Sequence, residues 1–287
     1  MKRNGWLGLL ISLPAATALA LPVPAVRAEV EPIKKGSVTY LQTPAGVRFG
    51  LTGKKATAPA PTLFVFAVDI QTALESKDFN KVGDLLGKHG FLAVALDVPG
   101  HGKDVRPGEP GNALSAWRVR TEKDENWLAA FTSKVRDVLG YLILEGYTDP
   151  NRVAVAGTSR GGFIATHVAA ADPRFRAVVA FAPVTEPMVL TEFHGTARAG
   201  AVKALNLVHL ADKLAGRSLW LCIGNNDARV GTDKAIAFTR KVVAASLAAK
   251  KPLDVFLVVT PTPGHSIHKT AHDEAAAWLL ERFKDAK

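Results

Sequence analysis

The chain has 287 residues, with 36 Lys and Arg against 26 Asp and Glu for a formal net charge of +10. That length suits one α/β domain with a large core, and the basic balance forms no stripe interleaved with aromatics, so nucleic-acid binding is set aside for an ordinary basic surface. A single cysteine, Cys222, excludes an internal disulfide and a cysteine-based metal cluster.

The first element in chain order is a leader. Lys2 and Arg3 precede an apolar run over 6–21, and a proline-containing stretch ends in Val26-Arg27-Ala28. The pattern reads as a secretory signal peptide cleaved after Ala28, with a membrane anchor as the rival. The expected location is therefore periplasmic or secreted, with no stable membrane insertion once 1–28 is removed. The remaining 29–287 reads as a single domain.

Residues 36–42 and 47–52 flank Thr43-Pro44-Ala45-Gly46 and predict two strands joined by a turn. A loop rich in Ala and Pro follows over 54–61. From there strand and helix alternate, which argues for a mostly parallel central sheet with helices on both faces. The apolar runs predict strands at 62–68, 92–97, 152–156, 177–181, 218–223 and 253–259. Helices are expected at 72–88, 122–145, 161–171, 233–249 and 268–284. Two connections exceed simple turns. Residues 98–119 read as an irregular loop after a strand end, where ligands bind in such sheets. Residues 183–217 carry a helical piece near 200–214 and read as a small lid, about 184–216.

The most informative stretch is Asn151-Arg-Val-Ala-Val-Ala-Gly-Thr-Ser-Arg-Gly-Gly162, an apolar strand, a glycine-bounded serine and the start of a helix. A serine hydroxyl is a weak nucleophile unless it is exposed, beside a base and near oxyanion donors, and a sharp strand-to-helix turn helps with all three. Ser159 takes the tip, with Gly157 and Gly161 where backbone must pass closely. The backbone N–H of Arg160 opens the helix and offers an oxyanion donor.

A serine nucleophile needs a histidine base and an orienting carboxylate, here sought after residue 159. Asp227 follows the apolar strand at 218–223 through Gly224-Asn225-Asn226, and is preferred over Asp212 in the lid and Asp233 at a helix start. His265 ends the turn-rich Thr260-Pro-Thr-Pro-Gly-His after the last strand. It is preferred over His268, which is expected to begin the last helix. His268 and His272 have a spacing that suits a metal, but no intervening Glu and no third ligand accompany them, so both read as solvated helix residues. His101 reads as loop packing, and Asp69 as either a substrate contact or a helix cap. The Arg160 side chain reads as a structural salt bridge before an anion-binding group. Trp117 and Trp127 read as core before pocket, and Trp278 and Cys222 as core.

With Ser159, Asp227 and His265 in this order, the chain resembles the α/β-hydrolase superfamily, and within it the dienelactone hydrolase and prolyl oligopeptidase-like catalytic domains. The motifs that carry the resemblance are Asp97-Val-Pro-Gly-His-Gly102, the Ser159 segment from Asp149 to Gly162, Ile223-Gly-Asn-Asn-Asp227 and Pro263-Gly-His265. It implies an α/β-hydrolase fold and hydrolysis through an acyl-serine, with no metal or organic cofactor. Many such hydrolases carry His-Gly after the third strand to complete the oxyanion hole. This chain reads Phe66-Ala-Val-Asp-Ile70, which leaves the backbone N–H of Val68 or Asp69 for that task. The expectation is a serine hydrolase acting on a small-molecule carboxylic ester. A peptidase or amidase of prolyl oligopeptidase-like type is the first alternative, although no paired-glutamate motif for a peptide amine is found. A non-catalytic binding protein on a hydrolase scaffold is the second.

Overall fold

The computed structural model describes residues 32–284. The expected leader, 1–28, lies outside the described residues. The chain begins with three antiparallel strands, β1 (Ile33–Lys35), β2 (Val38–Gln42) and β3 (Arg48–Thr52). The remaining strands are β4 (Ala60–Phe66), β5 (Leu92–Ala95), β6 (Thr148–Thr158), β7 (Ala177–Phe181), β8 (Ser218–Asn226) and β9 (Val255–Pro263). Together they form one sheet of order β1-β2-β3-β5-β4-β6-β7-β8-β9, parallel from β5 to β9.

Alternation along the strands separates two apolar layers. In β4, Phe64 and Phe66 face one layer and Leu63 and Val65 the other, all buried. The second layer packs under helices α1 (Ile70–Glu75) and α2 (Lys81–Gly87) and the last helix. The first packs under α3 (Ala113–Glu122), α4 (Trp127–Leu144) and α5 (Arg160–Ala171). The short helices α6 (Ala199–Lys203) and α7 (Ala211–Leu214), then α8 (Thr232–Ala248) and α9 (Ala271–Phe283), complete the set among the described residues.

Two helices depart from their expected spans, one through a side-chain bond and one through a backbone turn. Instead of one helix at 72–88, α1 ends at Glu75, and the buried Asn80 amide donates to the freed Leu74 carbonyl at 2.8 Å before α2 begins. Instead of a helix starting at 122, α3 ends there. Asp124 turns left-handed at φ 56°, and α4 restarts with Trp127 stacked on Trp117 at 4.8 Å. Both tryptophans are core, as expected.

The irregular connection after β5 is shorter than 98–119, because α3 starts at Ala113 behind an Asn112 cap. Arg120, 1% exposed, pins that loop through Asp104 at 2.5 Å and Glu109 at 2.7 Å. The turn expected at 260–263 is instead the end of β9. Pro261 and Pro263 fit there because β9 is an edge strand, where a missing N–H costs no ladder bond.

Between β7 and β8 the chain forms an insert of short helical turns. Leu190, Phe193, Val202, Leu207 and Leu214 of the insert are buried in the same layer as α5. His167 of α5 donates from Nε2 to the Leu205 carbonyl at 3.0 Å. Burial lowers the pKa of this imidazole to about 4, so it is neutral where it holds the insert.

Candidate active site

β6 runs to Thr158 and α5 begins at Arg160, so Ser159 alone makes the turn, at φ 54° and ψ −113°. That conformation is costly for a residue with a Cβ, on the order of 1–3 kcal/mol, and persists only where neighbours enforce it. Three backbone bonds do so. Ser159 donates its N–H to the Phe181 carbonyl at 2.8 Å, and its own carbonyl accepts from Val184 at 3.1 Å and Phe163 at 3.2 Å. Glycine is needed on either side. A Cβ on Gly157 would stand 2.3 Å from the Gly161 carbonyl oxygen, and one on Gly161 would stand 1.9 Å from that of Phe66. The turn is thus pressed against the end of β4, which leads directly into Val68.

Asp227 follows β8 with its carboxylate fully buried. Its Oδ1 accepts from the N–H groups of Arg229 at 3.0 Å and Val230 at 3.1 Å, so one oxygen is saturated by the loop that carries it. Oδ2 faces His265 Nδ1 at 2.7 Å. A buried carboxylate accepts, so Nδ1 carries the imidazole proton and Nε2 presents a lone pair. That lone pair lies 2.9 Å from Ser159 Oγ, which therefore donates to it. Gly264, at φ 58°, turns the chain after β9 so that His265 reaches both partners.

The other candidates are not part of this chain of bonds. Asp212 lies in α7 and Asp233 in the first turn of α8, and neither is bonded to a histidine among the described residues. His268 precedes α9 rather than starting it, and its Nδ1 meets Thr270 Oγ1 at 2.8 Å. His272 is not solvated: it is buried against the Phe181 ring at 4.4 Å, because its position on α9 faces the sheet. Burial lowers its pKa. Among the described residues no group of three His, Cys, Asp or Glu side chains is placed to hold a metal. Cys222 is buried in β8, and burial raises its thiol pKa to about 11.

Ser159 and His265 open into a cavity of about 770 Å³ that Val68, Arg160, Arg229 and Lys269 also line. Asp69 turns away from it. Its carboxylate caps α1, accepting from Thr72 N–H at 3.0 Å, and it lines a neighbouring cleft with Arg48 and Asp97. The Arg160 side chain departs from the expected salt bridge, since no carboxylate of the described residues lies within ion-pair distance. Its Nη1 instead donates to His101 Nε2 at 3.0 Å. Arg229 was not singled out by the sequence. It pairs with Glu192 of the insert at 2.6 Å, and its place two residues after Asp227 in a strand-end loop was the available signal.

A family model described as the prolyl oligopeptidase family matches residues 132–286. Among solved structures, acetyl xylan esterase 1 from a Thermoanaerobacterium species is 20% identical, with a TM-score of 0.61 over 88% of this chain and 88% of that one. A cold-adapted esterase from an Arctic intertidal metagenomic library is 18% identical, with a TM-score of 0.61 over 88% of this chain and 97% of that one. A puromycin-hydrolyzing peptidase of Mycobacterium tuberculosis is 15% identical, with a TM-score of 0.63 over 92% of this chain and 40% of that one. These likenesses show the fold, an α/β-hydrolase with a mostly parallel sheet and helices on both faces. No curated protein matches the sequence significantly.

Proposed function

The chain belongs to the prolyl oligopeptidase family and is a serine hydrolase, and from that premise we propose that it cleaves a carboxylic ester through an acyl-serine intermediate. The unbroken path from buried Asp227 through His265 to Ser159, with bonds of 2.7 and 2.9 Å, carries this reading.

In the proposed mechanism Ser159 Oγ attacks the acyl carbon while His265 Nε2 takes its proton. Asp227 holds the Nδ1 tautomer and offsets the imidazolium charge. The oxyanion is held by the Arg160 N–H, which as the first of α5 has no intrahelical acceptor. The second donor is the Val68 N–H. Val68 lines the cavity with Ser159, which Asp69 does not. His265 then protonates the leaving alcohol, and water returns the serine by the reverse path. The chemistry calls for no metal or cofactor. The basic leader over 1–28 favours work outside the cytoplasm.

The matched family and its peptidase neighbours support amide cleavage as the second reading. The ester reading is favoured by likeness that runs over nearly the whole length of the esterases. Initial rates on p-nitrophenyl butyrate and on aminoacyl p-nitroanilides, with Ser159→Ala as the folded control, separate the two. Turnover of the ester that vanishes in the variant is expected. Turnover of the anilides alone would give the peptidase reading instead.

A further inference from the structure

A guanidinium withdrawn from water needs a counter-charge or a full set of acceptors, since an unpaired buried charge is expensive. This protein meets that need at Arg120, which is 1% exposed and bonded to two carboxylates. Arg160 is treated differently. It is partly buried, adjoins Ser159 and lines the same cavity, and its one side-chain partner among the described residues is His101.

That partner brings no negative charge. Arginine has no acceptor, so His101 Nε2 must accept, which puts the ring proton on Nδ1, where it faces the Pro99 carbonyl at 3.3 Å. Burial, then the nearby Arg160 charge, lowers the His101 pKa and keeps the ring neutral. Four guanidinium N–H groups remain without a partner among the described residues. Glu192, a carboxylate in electrostatic reach of Arg160, is already engaged by Arg229 at 2.6 Å.

The rest of the cavity leans to the same sign: Lys77 and Lys269 line it against Asp78, the one acidic group on its wall, while Lys81 and Arg229 are paired with Asp273 and Glu192. Consecutive Cα atoms are about 3.8 Å apart, so the Arg160 side chain reaches groups a few bonds from an acyl carbon bound at Ser159.

We infer that Arg160 recognises a carboxylate on the substrate, and that the esters taken at this site are anionic, with the acid group a few carbons from the scissile bond. The inference rests on the serine-hydrolase reading for its substrate, but not for its anion site. His101 is a positioning residue that holds the guanidinium by a neutral contact and leaves its charge for the ligand.

Two matched ester pairs test it. One pair is p-nitrophenyl hydrogen adipate and p-nitrophenyl hexanoate, and the other is 4-carboxyphenyl and 4-carbamoylphenyl butyrate. Together they place the charge on the acyl side and then on the leaving side. The quantity read is the ratio of kcat/KM, anionic over neutral, corrected for uncatalysed hydrolysis. For the wild type, one pair should favour the anion by about tenfold to hundredfold, the range of a hydrogen bond to a charged group. Arg160→Met should bring that ratio to about one and Arg160→Lys should restore part of it, as expected for a charge that the shorter-reaching ammonium partly replaces. Ratios near one in the wild type, or a preference that survives Arg160→Met, would overturn the inference. If no ester or amide is turned over, the hydrolase reading fails separately, and adipate binding decides. A thermal upshift by adipate in Ser159→Ala that Arg160→Met abolishes would uphold the anion site. No shift, or an equal shift in both, would overturn it.

Discussion

The Ser159 turn and the insert between β7 and β8 are built on opposite principles. The turn is held by main chain against main chain: Gly161 lies against the Phe66 carbonyl, and three backbone bonds clamp Ser159. The insert is held by side chains. Leu190, Phe193 and Leu207 are buried under it, His167 bonds the Leu205 carbonyl, and Glu192 pairs with Arg229. Backbone packing leaves almost no sequence freedom and fixes a nucleophile to a fraction of an ångström. Side-chain packing holds a surface while leaving its chemistry free to change.

The largest effect that this contrast predicts is chemical. Ser159→Ala should lower kcat by about 10⁵-fold or more with thermal stability nearly intact, because the turn is enforced by its neighbours rather than by its hydroxyl. Steady-state kinetics beside a melting curve would check it, and a large loss of stability would break the contrast. Gly161→Ala comes next. With backbone at 1.9 Å from the new Cβ it should cost about 4 kcal/mol in urea unfolding, since neither β4 nor α5 can move aside cheaply.

The insert should instead respond to pH. His167 has a folded pKa of about 4, below its ordinary value of 6.5. The unfolded chain therefore binds more protons between these values. Stability is fully present above about pH 6.5 and falls as pH drops toward 4, by about 3 kcal/mol. His167→Gln keeps a donor for Leu205 without titrating, so the difference from wild type should vary with pH over that window and be flat above it. The smallest effect has the opposite sign from Gly161→Ala. Gly200 lies in α6 with open space around its Cβ position, so Gly200→Ala should stabilise by about 0.5–1 kcal/mol.

The same division explains what could be read from the sequence. The alternation of strands and helices, the Gly157-Thr-Ser-Arg-Gly161 turn and the strand-end positions of Asp227 and His265 are local patterns, and the structure brings those three side chains into one chain of bonds. The breaks at Asn80 and Asp124 were illegible because polar residues there read equally well as helix surface. What stopped the helices was a side-chain bond from Asn80 to the Leu74 carbonyl and a left-handed turn at Asp124. His272 was misread as solvated because its burial depends on how α9 lies against Phe181. The Arg160–His101 contact joins residues 59 apart in sequence, and no local pattern signals it.

The most direct test of the central claim is to trap the nucleophile. Purified protein treated with a fluorophosphonate should gain one adduct by intact mass, peptide mapping should place it on Ser159, and Asp227→Asn should slow labelling by orders of magnitude. A folded protein that stays unlabelled, or an adduct at another residue, would contradict the account.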